Sequence, residues 1–381
     1  MAELVAIARR RHPTAQALAA ARREADARVV QAGAWANPTL ELSYGRTRPR
    51  IDDLQSNHPY GVSLSQRVEW WGKRRARIDA AQADVAFSTA TAAASLIELE
   101  IDVRLAAIAY AAAQEAVTQA GAQAALADQL SEVITKRHAA GDSDRGEVAR
   151  MRVEASTARV RHEAAIRAVA TALAVLRTWC GESLSTDITI TDVFADTASL
   201  DPTTETANEH PRLQAALAAE RASAARGQTE REARVPDVTI GVFGEQEWEK
   251  NTLGVTLGVE VPLWNRNAGG IAAADAEHDR LKAARFVEAL RLQRERTEAL
   301  GAWQAARAEA STLRSEALPA AEDAVRLRTT AFASGEASLA DVLDSRRALL
   351  NVQTYLLDAQ RRAAESQVRL LAATAGAGSH P

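Results

Sequence analysis

Val62-Ser63-Leu64-Ser65-Gln66-Arg67-Val68-Glu69-Trp70 alternates apolar and polar residues, and Val255-Thr256-Leu257-Gly258-Val259-Glu260-Val261 does the same farther along the chain. A period of two belongs to an extended strand with one apolar face, not to a helix. Val62, Leu64, Val68 and Trp70 share one side, with Gln66 the exception; Ser63, Ser65, Arg67 and Glu69 share the other. Val255, Leu257, Val259, Val261 and Leu263 likewise oppose Thr256, Gly258 and Glu260. Two further alternating runs, Thr39-Leu40-Glu41-Leu42-Ser43-Tyr44 and Val238-Thr239-Ile240-Gly241-Val242, stand just ahead of these, each behind a helix-ending proline, Pro38 or Pro236. Polar loops from Gly45 to Pro59 and from Gly244 to Thr252 join the strands in pairs. Such a face suits either an amphipathic sheet lying on helices or a segment of transmembrane barrel with a polar lumen. In the second reading Val62, Leu64, Val68, Val255, Leu257 and Val259 face lipid. Tyr44, Tyr60, Trp70, Trp71 and Trp264, at strand ends, then form the aromatic girdle.

Both strand pairs lie in matching surroundings. His12-Pro13 returns as His210-Pro211 and Pro38 as Pro236, both after 198 residues. Val62-Ser63-Leu64 and Trp71 return as Val255-Thr256-Leu257 and Trp264 after 193, and Gly141 and Glu147-Val148 as Gly335 and Asp341-Val342 after 194. Collinear anchors of this kind mark a duplication. The chain therefore reads as two tandem repeats, about 1–180 and 207–373, with an irregular connector over 181–206 and a disordered tail from 373. Strand-bearing segments cover about 38–70 and 236–263. Each repeat reads as a helix (2–34 and 207–234), two strands, a very long helix from Gly72 or Ala268 to Gly141 or Gly335, a glycine turn and another helix. Nearly 70 helical residues would span about 100 Å, too long for a globular domain.

Composition agrees with long helices in close contact. Of 381 residues, 86 are alanine, while aromatics make up only 4%. Lys+Arg number 46 and Asp+Glu 50, a balance that gives no field for nucleic acid. One cysteine, Cys180, excludes an internal disulfide framework and a cysteine-cluster metal site. The seven histidines show no ligand spacing, so neither a metal site nor a cofactor is assigned. No nucleophile elbow, phosphate loop or zinc signature is present, which argues against an enzyme. No stretch reaches the 18 or more apolar residues of a membrane-spanning helix. From Met1 the chain runs into Ala2-Glu3-Leu4-Val5-Ala6-Ile7-Ala8-Arg9-Arg10-Arg11, which lacks the apolar core and cleavage site of a secretory signal. Read alone, that start suggests a soluble cytoplasmic chain; the strands and repeats suggest export.

Three motifs carry a resemblance. Trp35-Ala36-Asn37-Pro38-Thr39-Leu40, Ser65-Gln66-Arg67-Val68-Glu69-Trp70-Trp71-Gly72-Lys73-Arg74 and Val261-Pro262-Leu263-Trp264-Asn265-Arg266-Asn267-Ala268-Gly269-Gly270 resemble the TolC-like outer-membrane efflux proteins of Gram-negative bacteria. The Pro-Leu-Trp-Asn-Arg-Asn run is most similar to the CzcC heavy-metal cation-efflux branch. The resemblance implies a mainly α chain with a small β part, assembled as a homotrimer. Four strands per protomer would enter one transmembrane β-barrel, continuous with a long α-helical barrel in the periplasm. It implies outer-membrane localisation, contact with outer-membrane lipid, a periplasmic adaptor (membrane fusion) protein and an inner-membrane pump of the RND type. The function implied is a passive duct in a tripartite efflux system, exporting heavy-metal cations such as cobalt, zinc and cadmium, or drugs. The competing reading from another class is a soluble coiled-coil scaffold. No lipid-anchoring cysteine stands at the start.

The hairpin tips, about 138–147 and 332–344, are the next candidate site. Ser334-Gly335-Glu336-Ala337-Ser338-Leu339-Ala340-Asp341-Val342-Leu343-Asp344 resembles the family's periplasmic tip, where the two aspartates ring the closed pore. Asp341 and Asp344 are three apart and share a helix face, so a trimer would gather six carboxylates at one mouth. Ser338-x-x-Asp341 also reads as a capping box, which explains Asp341 without a pore. In the first repeat Asp144-x-x-Glu147 repeats the cap, but Arg150 holds the position equivalent to Asp344. Links from Arg150 to Asp344 or from Glu147 to Arg346 between neighbouring hairpins are candidate closures. By the resemblance, an adaptor would dock around Gly141 and Gly335. Lys73, Arg74, Arg75 and Arg77 read as a solvated basic face.

Overall fold

The computed structural model describes residues 1–46, 58–69, 72–182, 184–185, 188, 190, 193–194, 210–247 and 250–374. Trp70, Trp71 and most of the 181–206 connector lie outside the described residues.

Helices α1 (Ala2–Arg11) and α2 (Pro13–Gly33) replace the single helix expected over 2–34. His12 is extended, with φ −66° and ψ 136°, because the ring of Pro13 excludes the helical conformation from the residue before it. The strands are β1 (Thr39–Tyr44) and β2 (Tyr60–Val68), followed by the 67-residue α3 (Lys73–Ala139) and α4 (Arg145–Cys180). After the connector come α5 (Pro211–Glu232), β3 (Val238–Glu247), β4 (Lys250–Val259), α6 (Ala268–Thr312), α7 (Leu318–Ala333) and α8 (Leu339–Thr374). Helix α5 begins on proline, whose missing N–H costs nothing at a first helical position. Between α6 and α7 the helix widens into a π turn, Leu313–Ala317. Pro319 follows directly; with no N–H to give and a ring that crowds the preceding turn, it disrupts the α ladder there.

The strands form one antiparallel sheet in the order β1-β2-β3-β4. Only residues 248–249 separate β3 from β4, so the polar loop expected over 244–252 is mostly paired strand. Glu245, Gln246 and Glu247 pair with Thr252, Asn251 and Lys250. Their polarity disguised a hairpin.

The chain forms two compact units. One comprises residues 17–93 and 211–288 and carries the sheet. Charged pairs stitch its helices: Arg212–Glu288 at 2.6 Å, Arg285–Glu220 at 2.8 Å, Arg226–Glu277 at 2.8 Å and Arg226–Asp84 at 3.1 Å. Of the basic run after β2, Lys73, Arg74 and Arg77 belong to this stitching, while Arg75 is on the expected solvated face, 86% exposed. Lys73 reaches Asp237 at 2.6 Å, Arg77 reaches Glu69 at 2.5 Å, and Arg74 donates to the Gly33 carbonyl while lying over the Trp35 ring. Asn267, at φ 54°, donates from Nδ2 to the carbonyl and carboxylate of Glu230. That clasp occupies the Pro-Leu-Trp-Asn-Arg-Asn motif and directs the chain from β4 into α6.

The other unit comprises residues 1–16, 94–210 and 289–381. Leu4, Val5 and Ala8 of α1 pack with Leu99, Val103, Ala107 and Tyr110 of α3 and with Leu173, Leu176 and Cys180 of α4. Burial raises the Cys180 thiol above its ordinary pKa, and the thiol donates to the Leu4 carbonyl. It is a packed side chain.

Candidate functional site: the sheet faces and the hairpin tips

The ladder register sorts the sheet residues without reference to function. Leu40 pairs with Leu64, Leu64 with Val242, and Val242 with Val255, a continuous apolar row across four strands. Val68, Val238 and Val259 make another, and Ile240 pairs with Leu257. Residues opposite one another in a ladder share a face, so Val62, Leu64, Val68, Val255, Leu257 and Val259 all lie on one side. Thr39, Glu41, Ser43, Ser63, Ser65, Arg67, Thr239, Glu245, Thr252 and Thr256 occupy the other.

The apolar face is not covered by the rest of the chain, and the edge strands β1 and β4 are exposed on nearly every residue. Leu64 is 47% exposed, Val242 50%, Val255 74% and Leu257 72%, while Gly61 and Gly241 on the polar face are buried. Among the described residues no strand side chain joins a core cluster. The alternative of an apolar face laid on helices therefore fails.

Glycine explains why the polar face is the crowded one. Gly61, Gly241, Gly254 and Gly258 lie on it, and only Gly244 lies on the apolar face. A Cβ at Gly61 would stand 2.6 Å from Ser43 Oγ, one at Gly241 2.5 Å from Thr256 Oγ1, and one at Gly254 2.5 Å from the Phe243 ring. At Gly244 the nearest atom would be 4.0 Å away. Removing side chains from one face lets the sheet curl toward it. Phe243, the aromatic on the polar face, lies flat over Gly254, its ladder partner. At one end of the sheet Tyr44 pairs with Tyr60, both exposed, and the Tyr60 hydroxyl donates to Gln246 Oε1. Beyond the other end stands Trp264, 94% exposed.

The two tips share one construction. Gly141 (φ +89°) and Gly335 (φ +83°) end α3 and α7 in the left-handed conformation, which glycine adopts without strain. Asp142 N–H bonds back to the Arg137 carbonyl, and Glu336 N–H to that of Ala331, so both turns close in the same way. Asp144 then caps α4, accepting from Glu147 N–H at 2.8 Å. At α8 the cap is reciprocal: Ser338 Oγ accepts from Asp341 N–H at 3.2 Å, and Asp341 Oδ2 accepts from Ser338 N–H at 3.0 Å and from its hydroxyl at 2.7 Å. The Ser338 hydroxyl and N–H hold the Asp341 carboxyl below the usual carboxylate range. Asp344 takes no part in the cap and is exposed.

Beneath the turns the hairpins share a core of Ile134, Met151, Leu339 and Leu343, with Leu130, Val148 and Phe332 packed against it. This core fixes the register of α3, α4 and α8 in one chain. Glu147 accepts from the Ser143 hydroxyl at 2.6 Å, Arg150 is exposed, and Arg346 is half-buried with no partner at Nε. Burial lowers the Arg346 guanidinium below its ordinary pKa. Among the described residues, neither Arg150 and Asp344 nor Glu147 and Arg346 are joined within the chain. An ion pair that the sequence did not suggest, Arg347–Glu154, joins α8 to α4, and Arg347 also lies 3.6 Å from Asp344. Among the described residues no group of three or more His, Cys, Asp or Glu side chains could hold a metal, and no helix is long and apolar enough to cross a membrane.

The family model for outer membrane efflux proteins matches twice, over residues 4–182 and 204–376. The chain belongs to the outer membrane efflux protein family. That family is one of passive efflux channels. Among curated relatives, the cobalt-zinc-cadmium resistance protein CzcC of Cupriavidus metallidurans is 28% identical over 351 residues, covering 89% of this chain and 82% of its own length. Among solved structures, CusC, which forms a transmembrane channel, superposes with a TM-score of 0.84 at 17% identity, covering 98% of this chain and 91% of CusC. The outer membrane protein VceC of Vibrio cholerae superposes at 0.79 and 20% identity, covering 98% and 95%. At such identities the superpositions establish the fold, which in this efflux protein is mainly helical with a four-stranded antiparallel sheet.

Proposed function

We propose that three copies of this chain form the outer-membrane channel of a tripartite efflux system, a passive duct that receives substrate from a pump and an adaptor. The observation that carries the proposal is the sheet itself, with its apolar face exposed, close-packed glycines on its polar face, and β1 and β4 left as unpaired edges. In lipid every backbone group must be paired, so an open four-stranded sheet is viable only when neighbouring copies close it. Three copies give twelve strands, with Tyr44, Tyr60 and Trp264 at the interfaces. The tandem halves, about 1–180 and 207–373, each supply two strands to the barrel and one hairpin to a periplasmic tunnel. The tips around Gly141 and Gly335 dock an adaptor hairpin, and the pump is of the RND type. Heavy-metal cations are the proposed substrates, supported by the likeness to CzcC; the duct guides them as cargo.

Asp341 and Asp344 form the constriction at the tips, with Arg150 and Arg346 as the contacts available to a neighbouring hairpin. Asp341 is committed to its capping box, which leaves Asp344 as the carboxylate that meets the pore. In planar bilayers the wild-type protein should be cation-selective and blocked by trivalent lanthanum from the tip side. Asp344→Ala, which leaves the cap intact, should reduce both properties, and Asp341→Ala/Asp344→Ala should reduce them at least as much. Unchanged selectivity and block in both variants would remove the gate assignment.

A further inference from the structure

Arg347 stands between two carboxylates of unequal claim. Its Nη2 donates to Glu154 Oε1 on α4, and its Nη1 lies 3.6 Å from Oδ1 of Asp344, one turn back on α8. Glu154 is only 22% exposed, whereas Asp344 is 74% exposed and beyond hydrogen-bond distance. Attraction between exposed charges is largely screened by water; the sheltered, hydrogen-bonded pair is favoured. The Glu154 carboxylate accordingly holds the Arg347 guanidinium above its ordinary pKa. The register that makes this contact is fixed by packing, because Glu154 lies one turn from Met151 and Arg347 one turn from Leu343, and both apolar residues belong to the tip core. The other cations nearby do not substitute for Arg347: Arg150 is exposed on α4, and Arg346 is half-buried.

We infer that Glu154 is a positioning residue for the tip constriction: by holding Arg347 against α4, it keeps the Asp344 carboxylate un-neutralised and available to cations at the mouth. The inference rests on the proposed pore role of Asp344. Glu154 itself need not touch the permeating ion. If Glu154 is lost, Asp344 becomes the partner left to Arg347 at i,i+3 spacing, and the guanidinium cancels the charge that the pore uses.

The test compares full-length wild-type, Asp344→Asn, Glu154→Gln, Glu154→Asp, Arg347→Gln and Glu154→Gln/Arg347→Gln channels in planar bilayers, with lanthanum chloride applied from the tip side. Glu154→Gln should raise the half-blocking lanthanum concentration by about threefold or more, in the same direction as Asp344→Asn. Glu154→Asp, which keeps the charge, should stay near wild type. The double variant should return to wild-type block or tighter, since the competing guanidinium is gone; loss of a merely structural contact would leave it as impaired as Glu154→Gln. Should Glu154→Gln fail to assemble, Arg347→Gln alone decides: block at wild-type strength or tighter is expected, and weakened block would overturn the inference. Weakened block in Asp344→Asn with wild-type block in Glu154→Gln would overturn the positioning role alone. Wild-type block in Asp344→Asn would overturn the gate reading, and the inference with it.

Discussion

Leu257→Arg should assemble into a membrane-embedded channel far less well than Thr256→Arg, although the two substitutions are adjacent and chemically identical in what they add. Leu257 pairs with Ile240 on the apolar face and is 72% exposed. If that face meets hydrocarbon, an arginine there costs about 2–4 kcal/mol near the midplane. Thr256 pairs with Gly241 on the polar face, where an added guanidinium remains in water. Three copies multiply the penalty, so the trimer yield of Leu257→Arg should fall by orders of magnitude while that of Thr256→Arg is nearly kept. Refolding both variants into lipid vesicles and separating trimer from monomer on a gel provides the comparison. Equal yields would mean that the faces are assigned the wrong way or that the sheet does not enter lipid.

Gly241→Val should be much more damaging than Gly244→Val. Both glycines lie in β3, three residues apart, on opposite faces. At Gly241 a Cβ would meet the Leu64 carbonyl oxygen and Ser65 Cβ at 3.2 Å, besides Thr256 Oγ1 at 2.5 Å. The hydroxyl can rotate away; the β2 backbone cannot without losing ladder bonds. Overpacking of this kind costs about 1–3 kcal/mol. Gly244 has open space on the apolar face between Val62 and Leu253, and a β-branched residue there should be neutral or mildly stabilising. Urea midpoints of the reconstituted channel separate the two. A loss at Gly244 as large as at Gly241 would contradict inward curvature toward the polar face.

Much of this protein was readable from local pattern because the decisive physics is local. Alternation at 62–70 and 255–261 shows strands, Gly141 and Gly335 show turns, and Ser338-x-x-Asp341 shows a cap. One further signal was available in composition: alanine, so frequent elsewhere, is absent from residues 37–75 and 234–267, the two segments that hold the strands. The break at His12 was also legible, since Pro13 restricts the residue before it. The π turn was less so, because Pro319 signals a disturbance in the helix without stating its form. The β3–β4 hairpin is hidden for a physical reason, as Glu245-Gln246-Glu247 and Lys250-Asn251-Thr252 are paired strand without apolar alternation. Contacts distant in sequence were invisible. Nothing in the one-dimensional pattern pairs Lys73 with Asp237 or Glu154 with Arg347; the second pair depends on helix register, which is set by the core of Ile134, Met151, Leu339 and Leu343.

The central claim is that the four-stranded sheet is one third of a closed transmembrane barrel. Its most direct test is the stoichiometry of the protein extracted from outer membranes in mild detergent, read by light scattering with the detergent mass subtracted. Three copies of the 40.8 kDa chain, about 122 kDa of protein, are expected. A monodisperse monomer that remains soluble without detergent would contradict the account, because the exposed apolar rows and both free strand edges would then be standing in water.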